Sequence, residues 1–323
     1  MQVERFPLSV RLLNAPVAYL EYVRRTVWPA KLGVMYPHPG GAVPLRDVLL
    51  GLAILVLGAL LALLMRRRRP AVAVGWLWFC GALVPVIGLV QVGEQSFADR
   101  YTYLPIVGIF MGIAWGVPQS RAADRRRMAV AVGLAGVVAA LAAASARQVE
   151  SWANNRSLYR QALAAAPENW MMHANLAAEL LAAGELAEAL AHQREVVRLR
   201  PDLPEGRHNL GLALERLGLD EDAAREYREC LRLNPHHPRA SRSLGRVLLR
   251  LKRPAEALPH LLRAATDQPD NGEVRLSLGD AYVQLGDLAA AEAALREAVR
   301  IDPKNNWARM YWENVRARVP RQP

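Results

Sequence analysis

Five prolines stand at equal intervals in the second half of this 323-residue chain: Pro167, Pro201, Pro235, Pro269 and Pro303, each 34 residues from the next. A fixed period of that length marks one supersecondary unit used repeatedly, and such a unit cannot bury its apolar face without its neighbours. With the proline at place 32, the units run 170–203, 204–237, 238–271 and 272–305. Place 7 is then Leu176, Leu210, Leu244 and Leu278, and place 8 is Ala177, Gly211, Gly245 and Gly279. Place 20 is Ala189, Ala223, Ala257 and Ala291. Small residues facing each other let two antiparallel helices approach closely, while the leucines fill the stack. A turn glycine recurs as Gly184, Gly218 and Gly286, and Lys252 takes its place in the third unit.

This period and pattern are those of the tetratricopeptide helix-turn-helix repeat, which stacks into an α-solenoid. Residues 151–169 read as a half repeat, because SWANNRSLYRQALAAAP sets Tyr159 and Ala162 where a second helix carries them. Residues 306–320, NWARMYWENVRARVP, read as a capping helix that covers the exposed apolar end. Cys230 falls at place 27, a small buried place, so its thiol is expected to be inert. Asn155-Arg156-Ser157 is a formal glycosylation sequon, a three-residue pattern of little weight.

In a solenoid of this class the first helix of each repeat lines the concave face, through places 2, 5, 6, 9, 12 and 13. Place 6 holds Asn175, Asn209, Ser243 and Ser277. An asparagine amide both donates and accepts, so such a ladder suits a peptide backbone. His208 lies beside Asn209, and Arg239, Arg242, Arg246 and Arg250 recur at helical spacing in the third unit. This cationic stripe suits an acidic polypeptide ligand in the groove; the alternative is a solvated face that keeps the solenoid soluble. No aromatic residues interleave with the arginines, so nucleic acid is not an expected partner.

The first half is built from a different alphabet. A mean hydropathy of +0.04 averages a charged, helix-favouring second half with an apolar first one. Uncharged stretches at 48–65, 71–92, 103–117 and 128–146 approach the roughly 20 residues that cross a hydrocarbon core, the third being the shortest. The net charge of +11 is concentrated in RRRR at 66–69 and RAADRRR at 121–127. Arginine-rich short loops stay cytoplasmic, which sends the 93–103 loop and the repeats outside. Arg24, Arg25 and Lys31 count against that orientation, and a re-entrant third segment would turn the repeats to the cytoplasm. Residues 1–46 read as an interfacial, extracytoplasmic segment: a mixed helix over 8–28, then WPAKLGVMYPHPGG on an irregular path. His38, between two prolines, reads as a surface residue. The N-terminal stretch lacks the apolar core of a cleavable signal peptide. Two cysteines exclude a disulfide framework, and no carboxylate cluster at ligand spacing calls for a metal. No cofactor is expected. The expected fold is therefore all-α, with about four transmembrane helices followed by the solenoid.

Three stretches carry a resemblance: WPAKLGVMYPHP (28–39), PVIGLVQVGEQSFADRYTYLP (85–105) and the repeats from Trp152 onward. Together they make the chain resemble the C-terminal portion of the transmembrane-and-tetratricopeptide-repeat O-mannosyltransferases and their bacterial relatives, glycosyltransferases of the GT-C class. The resemblance implies transfer of a sugar from a polyisoprenyl-phosphate donor to Ser or Thr of a translocated protein, and repeats on the outer, periplasmic face of a bacterial inner membrane. It also implies a loop facing the donor. There Arg100 would meet the phosphate, Asp99 would orient it, Glu94 would add a polar or coordinating group, and Tyr101 and Tyr103 would pack on lipid or sugar. Read without the resemblance, the same residues are an interfacial tyrosine belt with a snorkelling arginine and a local ion pair. One departure stands out: inverting sugar transfer needs a carboxylate base, and Glu4 and Glu21 have the wrong surroundings for it. A portion without that base is expected to be inactive alone. The competing expectations are a membrane-tethered scaffold for envelope proteins and, with the repeats inward, a cytoplasmic-facing adaptor.

Overall fold

The computed structural model describes residues 7–27, 36–37, 43–87, 95–97, 99–116, 124–150, 152–237 and 239–319. They form two compact units, Met1–Met172 and His173–Pro323.

The first unit holds α1 (Leu8–Val27), β1 (Tyr36–Pro37), α2 (Leu45–Met65), α3 (Pro70–Leu83), β2 (Gln95–Phe97), α4 (Tyr103–Gly116), α5 (Asp124–Glu150) and α6 (Asn155–Ala165). At 1.5 Å per residue the 21 residues of α2 reach about 31 Å, the thickness of a hydrocarbon core. Among the described residues α2 is the one helix long and apolar enough to cross a membrane. The other three expected spans appear as shorter apolar helices: Pro70–Leu83, Tyr103–Trp115 and Ala131–Ala146. Proline shortens the first of these. Pro85 lacks an N–H and its ring would clash with the Gly81 carbonyl, and the last turn closes early with Val84 N–H on that carbonyl at 3.3 Å.

Packing in this unit runs from helix to helix along the chain. A Cβ on Gly75 of α3 would lie 2.1 Å from the Gly108 carbonyl oxygen of α4, and one on Gly108 would lie 2.3 Å from that of Gly75. Only a bare backbone permits that approach. The mixed stretch after residue 7 does form a helix, α1, and it buries Ala18, Tyr19 and Tyr22 against Phe79, Leu83 and Ile87. Tyr19 Oη donates to the Cys80 carbonyl at 2.7 Å, and Trp78 Nε1 to that of Leu104 at 3.0 Å. The outward side of α2 presents Leu49, Leu52, Val56, Leu57, Leu60 and Leu64, all exposed. The small departure from an all-helical chain is the antiparallel pairing of β1 with β2, which sets Tyr36 opposite Phe97.

The second unit alternates two kinds of helix. The pairs are α7 (Trp170–Ala182) with α8 (Leu186–Leu199), α9 (Pro204–Arg216) with α10 (Asp220–Leu233), α11 (Ala240–Arg250) with α12 (Pro254–Asp267), and α13 (Gly272–Leu285) with α14 (Leu288–Ile301). Then comes α15 (Asn306–Arg318). Local chemistry places the ends. Pro204 and Pro254 sit in first turns that need no N–H, while Asn271, Asp287 and Asn305 accept from the first free amides. The connecting turns pass through left-handed backbone at Gly184, Gly218 and Gly286 (φ 80, 75 and 84°), and through Lys252 at φ 58°.

The leucines of place 7 and the alanines of place 20 are all buried; Leu210, Leu244, Leu278, Ala223 and Ala257 lie in one continuous stack of α9 to α13, with Tyr227, Leu248 and Leu261 among its largest members. A Cβ on Gly245 would lie 2.5 Å from Leu261 Cγ, so glycine there sets how near α11 and α12 come. Val315 closes the far end against Ala291 and Leu295, which makes α15 a cap. Cys230 is fully buried, and burial pushes its thiol up to about 11, out of reach of thiolate chemistry at neutral pH.

Candidate functional site

The first helices of the third and fourth repeats, with the cap, enclose a cleft of about 330 Å³. One wall is Arg246, Leu249, Arg250 and Lys252; the other is Leu276, Ser277, Asp280 and Gln284, with Trp307 at the end. Apart from Lys252, which is the turn residue at place 15, these wall residues stand at places 5, 6, 9, 12 and 13, on the face that the repeat register assigned to the groove. Trp307 was not singled out from the sequence. It occupies place 2 if the register is carried one unit further, where Met171, Glu205, Arg239 and Glu273 stand in the full repeats. It is 56 % exposed, and its ring centre lies 5.0 Å from that of Tyr311. Tyr311 Oη donates to Asp280 Oδ1 at 3.1 Å and Gln284 Nε2 to Asp280 Oδ2 at 3.0 Å. Desolvation first, and then the Asp280 charge, push the Tyr311 phenol up to about 12. It stays protonated and keeps donating.

The arginine stripe does not stand open. Arg242 pairs with Glu273 at 3.3 Å, Arg246 with Glu215 at 2.8 Å, and Arg250 with both Glu215 at 2.8 Å and Asp220 at 2.6 Å. Glu215 also accepts from Tyr227 Oη at 2.8 Å. This lattice ties α11 to α9 and α10, so part of the stripe's charge is spent joining repeats. The Arg250 contact holds the Asp220 carboxyl below the usual carboxylate range, and burial first, then Glu215, push the Tyr227 phenol up. Arg239 is exposed at the start of α11.

Nor is the place-6 ladder continuous. Asn175 is exposed and Asn209 half-buried. Ser243 is buried, and Ser277 turns its hydroxyl back to the Glu273 carbonyl at 2.9 Å. A serine on a helix has this competing acceptor one turn behind it, whereas an asparagine does not reach it as readily. His208 is buried rather than lining the cleft. Its ring stacks 5.0 Å from that of His237 and lies tilted 5.5 Å from that of Tyr227. Desolvation is the first cause that brings the His208 imidazole down to about 4.

In the first unit the β1–β2 pairing joins the two loop stretches quoted above, residues 36–37 with residues 95–97. Asp99 and Arg100 open a 3-10 turn, Asp99–Thr102, that leads into α4. Tyr101 is half-buried on the α1/α3 cluster, and Tyr103 is exposed. Glu94 lies outside the described residues. Sequence reasoning missed the residues that hold this end together. Arg25 of α1 bonds Glu21 at 3.3 Å and the Tyr36 hydroxyl, with its guanidinium 4.0 Å over the Tyr36 ring. The signal was present in the quoted WPAKLGVMYPHP, where Tyr36 falls. Among the described residues no group of three metal-capable side chains converges.

Two family models, both described as tetratricopeptide repeat, match residues 141–204 with 208–271, and 248–311. Among curated proteins the chain is 26 % identical over 224 residues to the human Protein O-mannosyl-transferase TMTC1, covering 64 % of this chain and 25 % of that protein. It is 29 % identical over 113 residues to Protein O-mannosyl-transferase Tmtc2 of Drosophila melanogaster, covering 35 % and 12 %. The chain thus matches a quarter or less of the length of these relatives. Among solved structures it is similar to MamA from Desulfovibrio magneticus RS-1, at TM-score 0.45 and 29 % identity over 46 % of this chain and 84 % of that one. It is also similar to YrrB, described as a TPR protein with an unusual peptide-binding site, at TM-score 0.45 and 23 % identity over 50 % and 82 %.

Proposed function

Because residues 141–311 carry tetratricopeptide repeats, we propose that the chain is a multi-pass membrane protein whose repeats hold a polypeptide, and that it is the acceptor-engaging portion of a protein O-glycosyltransferase. On this reading residues 47–146 carry four membrane segments, residues 1–46 lie at the outer surface, and residues 151–320 form the half repeat, four repeats and cap outside. A polyisoprenyl-phosphate sugar would meet the loop of Glu94, Asp99, Arg100, Tyr101 and Tyr103, and an extended acceptor would lie along the groove. The portion is inactive by itself.

The observation that carries the polypeptide partner is the cleft between α11, α13 and α15, which puts an exposed tryptophan on the face where successive repeats meet. Support for the glycosyltransferase setting comes from the similarity to the O-mannosyl-transferases and from the pairing of β1 with β2, which brings two of the resembling stretches side by side.

The test is retention of a radiolabelled polyisoprenyl-phosphate mannose by the full chain in vesicles. Arg100→Ala is expected to lower retention at least tenfold. Equal retention by both proteins would sink the donor-loop reading.

The second reading is a membrane-tethered scaffold for proteins of the cell envelope, without chemistry of its own. The observation favouring it is Glu21: Arg24 at 3.5 Å and Arg25 at 3.3 Å hold its carboxylate. Both of its oxygens are then taken by guanidinium N–H donors rather than open to a substrate hydroxyl.

A further inference from the structure

We infer that the cleft between α11, α13 and α15 selects an extended polypeptide segment carrying an acidic side chain next to a bulky apolar one. This deepens the polypeptide-binding reading above and rests on it.

The first observation is Lys252. It is the one non-glycine among the described residues with positive φ, at 58°, and the equivalent turns of the other three repeats use glycine. A side chain in left-handed backbone carries a steric cost that glycine does not. The residue held there at that cost is a lysine; it is exposed, lines the cleft and makes no ion pair among the described residues. Of the four inter-helix turns, the strained one is the one that reaches the cleft.

The second is the way Arg246 and Arg250 are held. Glu215, its side chain only 8 % exposed, fixes both guanidinium groups, whose side chains remain 47 % and 41 % exposed. Each guanidinium has five N–H donors, and the lattice leaves some of those of Arg246 unused. Side chains already fixed in place lose little entropy on meeting a ligand. The α11 wall is therefore a pre-set row of guanidinium N–H donors whose charge the carboxylates largely match, with the charge of Lys252 left over at its end.

The third is the character of the other wall. Leu276 and Trp307 offer apolar area, with Leu249 across from them. Asp280 is the one carboxylate in the lining, and both of its oxygens are engaged by Tyr311 and Gln284. Its carboxylate also fixes the Tyr311 ring that backs Trp307. A bulky side chain against Trp307 puts the neighbouring residues of an extended ligand toward Lys252 and Arg246, where a carboxylate finds its match.

The probes are fluorescein-labelled nonapeptides carrying Leu-Asp, Leu-Asn or Gly-Asp at the centre, titrated into the full chain in detergent at low salt and read by anisotropy. Leu-Asp is expected to bind about tenfold tighter than Leu-Asn, with the difference shrinking as salt screens it. Lys252→Gly, which relaxes the turn, and Lys252→Gln, which keeps its strain, should both bring that ratio below about threefold and leave Leu-Asn binding unchanged. Trp307→Ala should weaken Leu-Asp and Leu-Asn alike. Equal binding of Leu-Asp and Leu-Asn, or a ratio that survives both Lys252 changes, overturns this inference and leaves the groove reading standing. If no peptide binds, both fall together.

Discussion

Arg250 and Asp220, separated by 30 residues and belonging to successive repeats, are joined by two parallel hydrogen bonds, Nε to Oδ2 at 3.0 Å and Nη2 to Oδ1 at 2.6 Å. The same guanidinium reaches Glu215 at 2.8 Å. A forked geometry of this kind fixes orientation as well as supplying energy. It sets the register of α11 against α9 and α10, and it removes those charges from the groove.

Glu215 is the centre of that lattice, and its loss should be felt. Glu215→Ala leaves Tyr227 Oη without its carboxylate acceptor and frees Arg246, while Arg250 keeps its forked pair with Asp220. Because the arginines are near half exposed, solvent recovers part of the loss. A destabilisation of about 2 kcal/mol is expected, on the order of a hydrogen bond to a charged group. Urea unfolding of the full chain in detergent, followed by circular dichroism, measures it. An unchanged midpoint would show that the lattice only decorates the stack.

Acid should weaken the solenoid in a defined window. The His208 imidazole is held down at about 4 by burial, whereas in the unfolded chain it titrates near its ordinary value of about 6.5. Between those values the unfolded state binds a proton that the folded state refuses, so stability is highest above pH 6.5 and falls as pH drops toward 4. His237, stacked on His208, is shifted the same way, with desolvation the first cause. His208→Gln should flatten the slope of unfolding free energy between pH 6.5 and 4. An unaltered slope would place the proton uptake elsewhere.

Below that window a carboxylate takes over. The Arg250 hydrogen bond depresses the Asp220 carboxyl, so its contribution is present above the ordinary carboxylate range and is lost as pH falls through the depressed value. Asp220→Asn should remove this acid-side loss while lowering stability at neutral pH. Thermal unfolding at pH 7 and at pH 3 reads both, and equal shifts at the two pH values would contradict it.

Lys252→Gly should stabilise the fold. Relief of left-handed backbone contributes roughly 1–2 kcal/mol, offset by about 0.4–1 kcal/mol from the greater freedom of glycine in the unfolded chain. A net gain of about 0.5–1 kcal/mol is expected, read as a rise in the urea midpoint. A loss of stability would mean that the lysine makes a contact worth more than its strain.

The proposed topology makes opposite demands on two turns. A cysteine introduced at Lys304 should react with a membrane-impermeant maleimide from outside intact cells, and one at Arg67 only after lysis. Labelling of the Lys304 site only after lysis would turn the repeats inward and remove the donor-loop reading with it.

Much of the solenoid was legible because each repeat is a local solution to the same problem. Proline and glycine end helices by their own backbone chemistry, and leucine and alanine declare the packed face by spacing alone. Trp307 was within reach of the same register, had it been carried past the last full unit. The β1–β2 pairing was not legible. It joins residues 58 or more positions apart across two helices, and nothing in either short stretch names the other. The shortening of α3 was written in Pro85, whereas the Gly75–Gly108 approach depends on where two helix axes cross.

Period, helix ends, small-residue seams and the apolar first half are properties of the sequence by itself, since each follows from local backbone freedom and side-chain volume. Which charges remain for a ligand is a property of the tertiary structure. Arg242, Arg246 and Arg250 are identical in kind and spacing, and all three find carboxylates only because neighbouring helices bring Glu273, Glu215 and Asp220 within 3.3 Å. Lys252 is left over by the same geometry. Pairing of charges falls off steeply with distance and burial, so it is decided by the packed stack and not by the spacing along one helix.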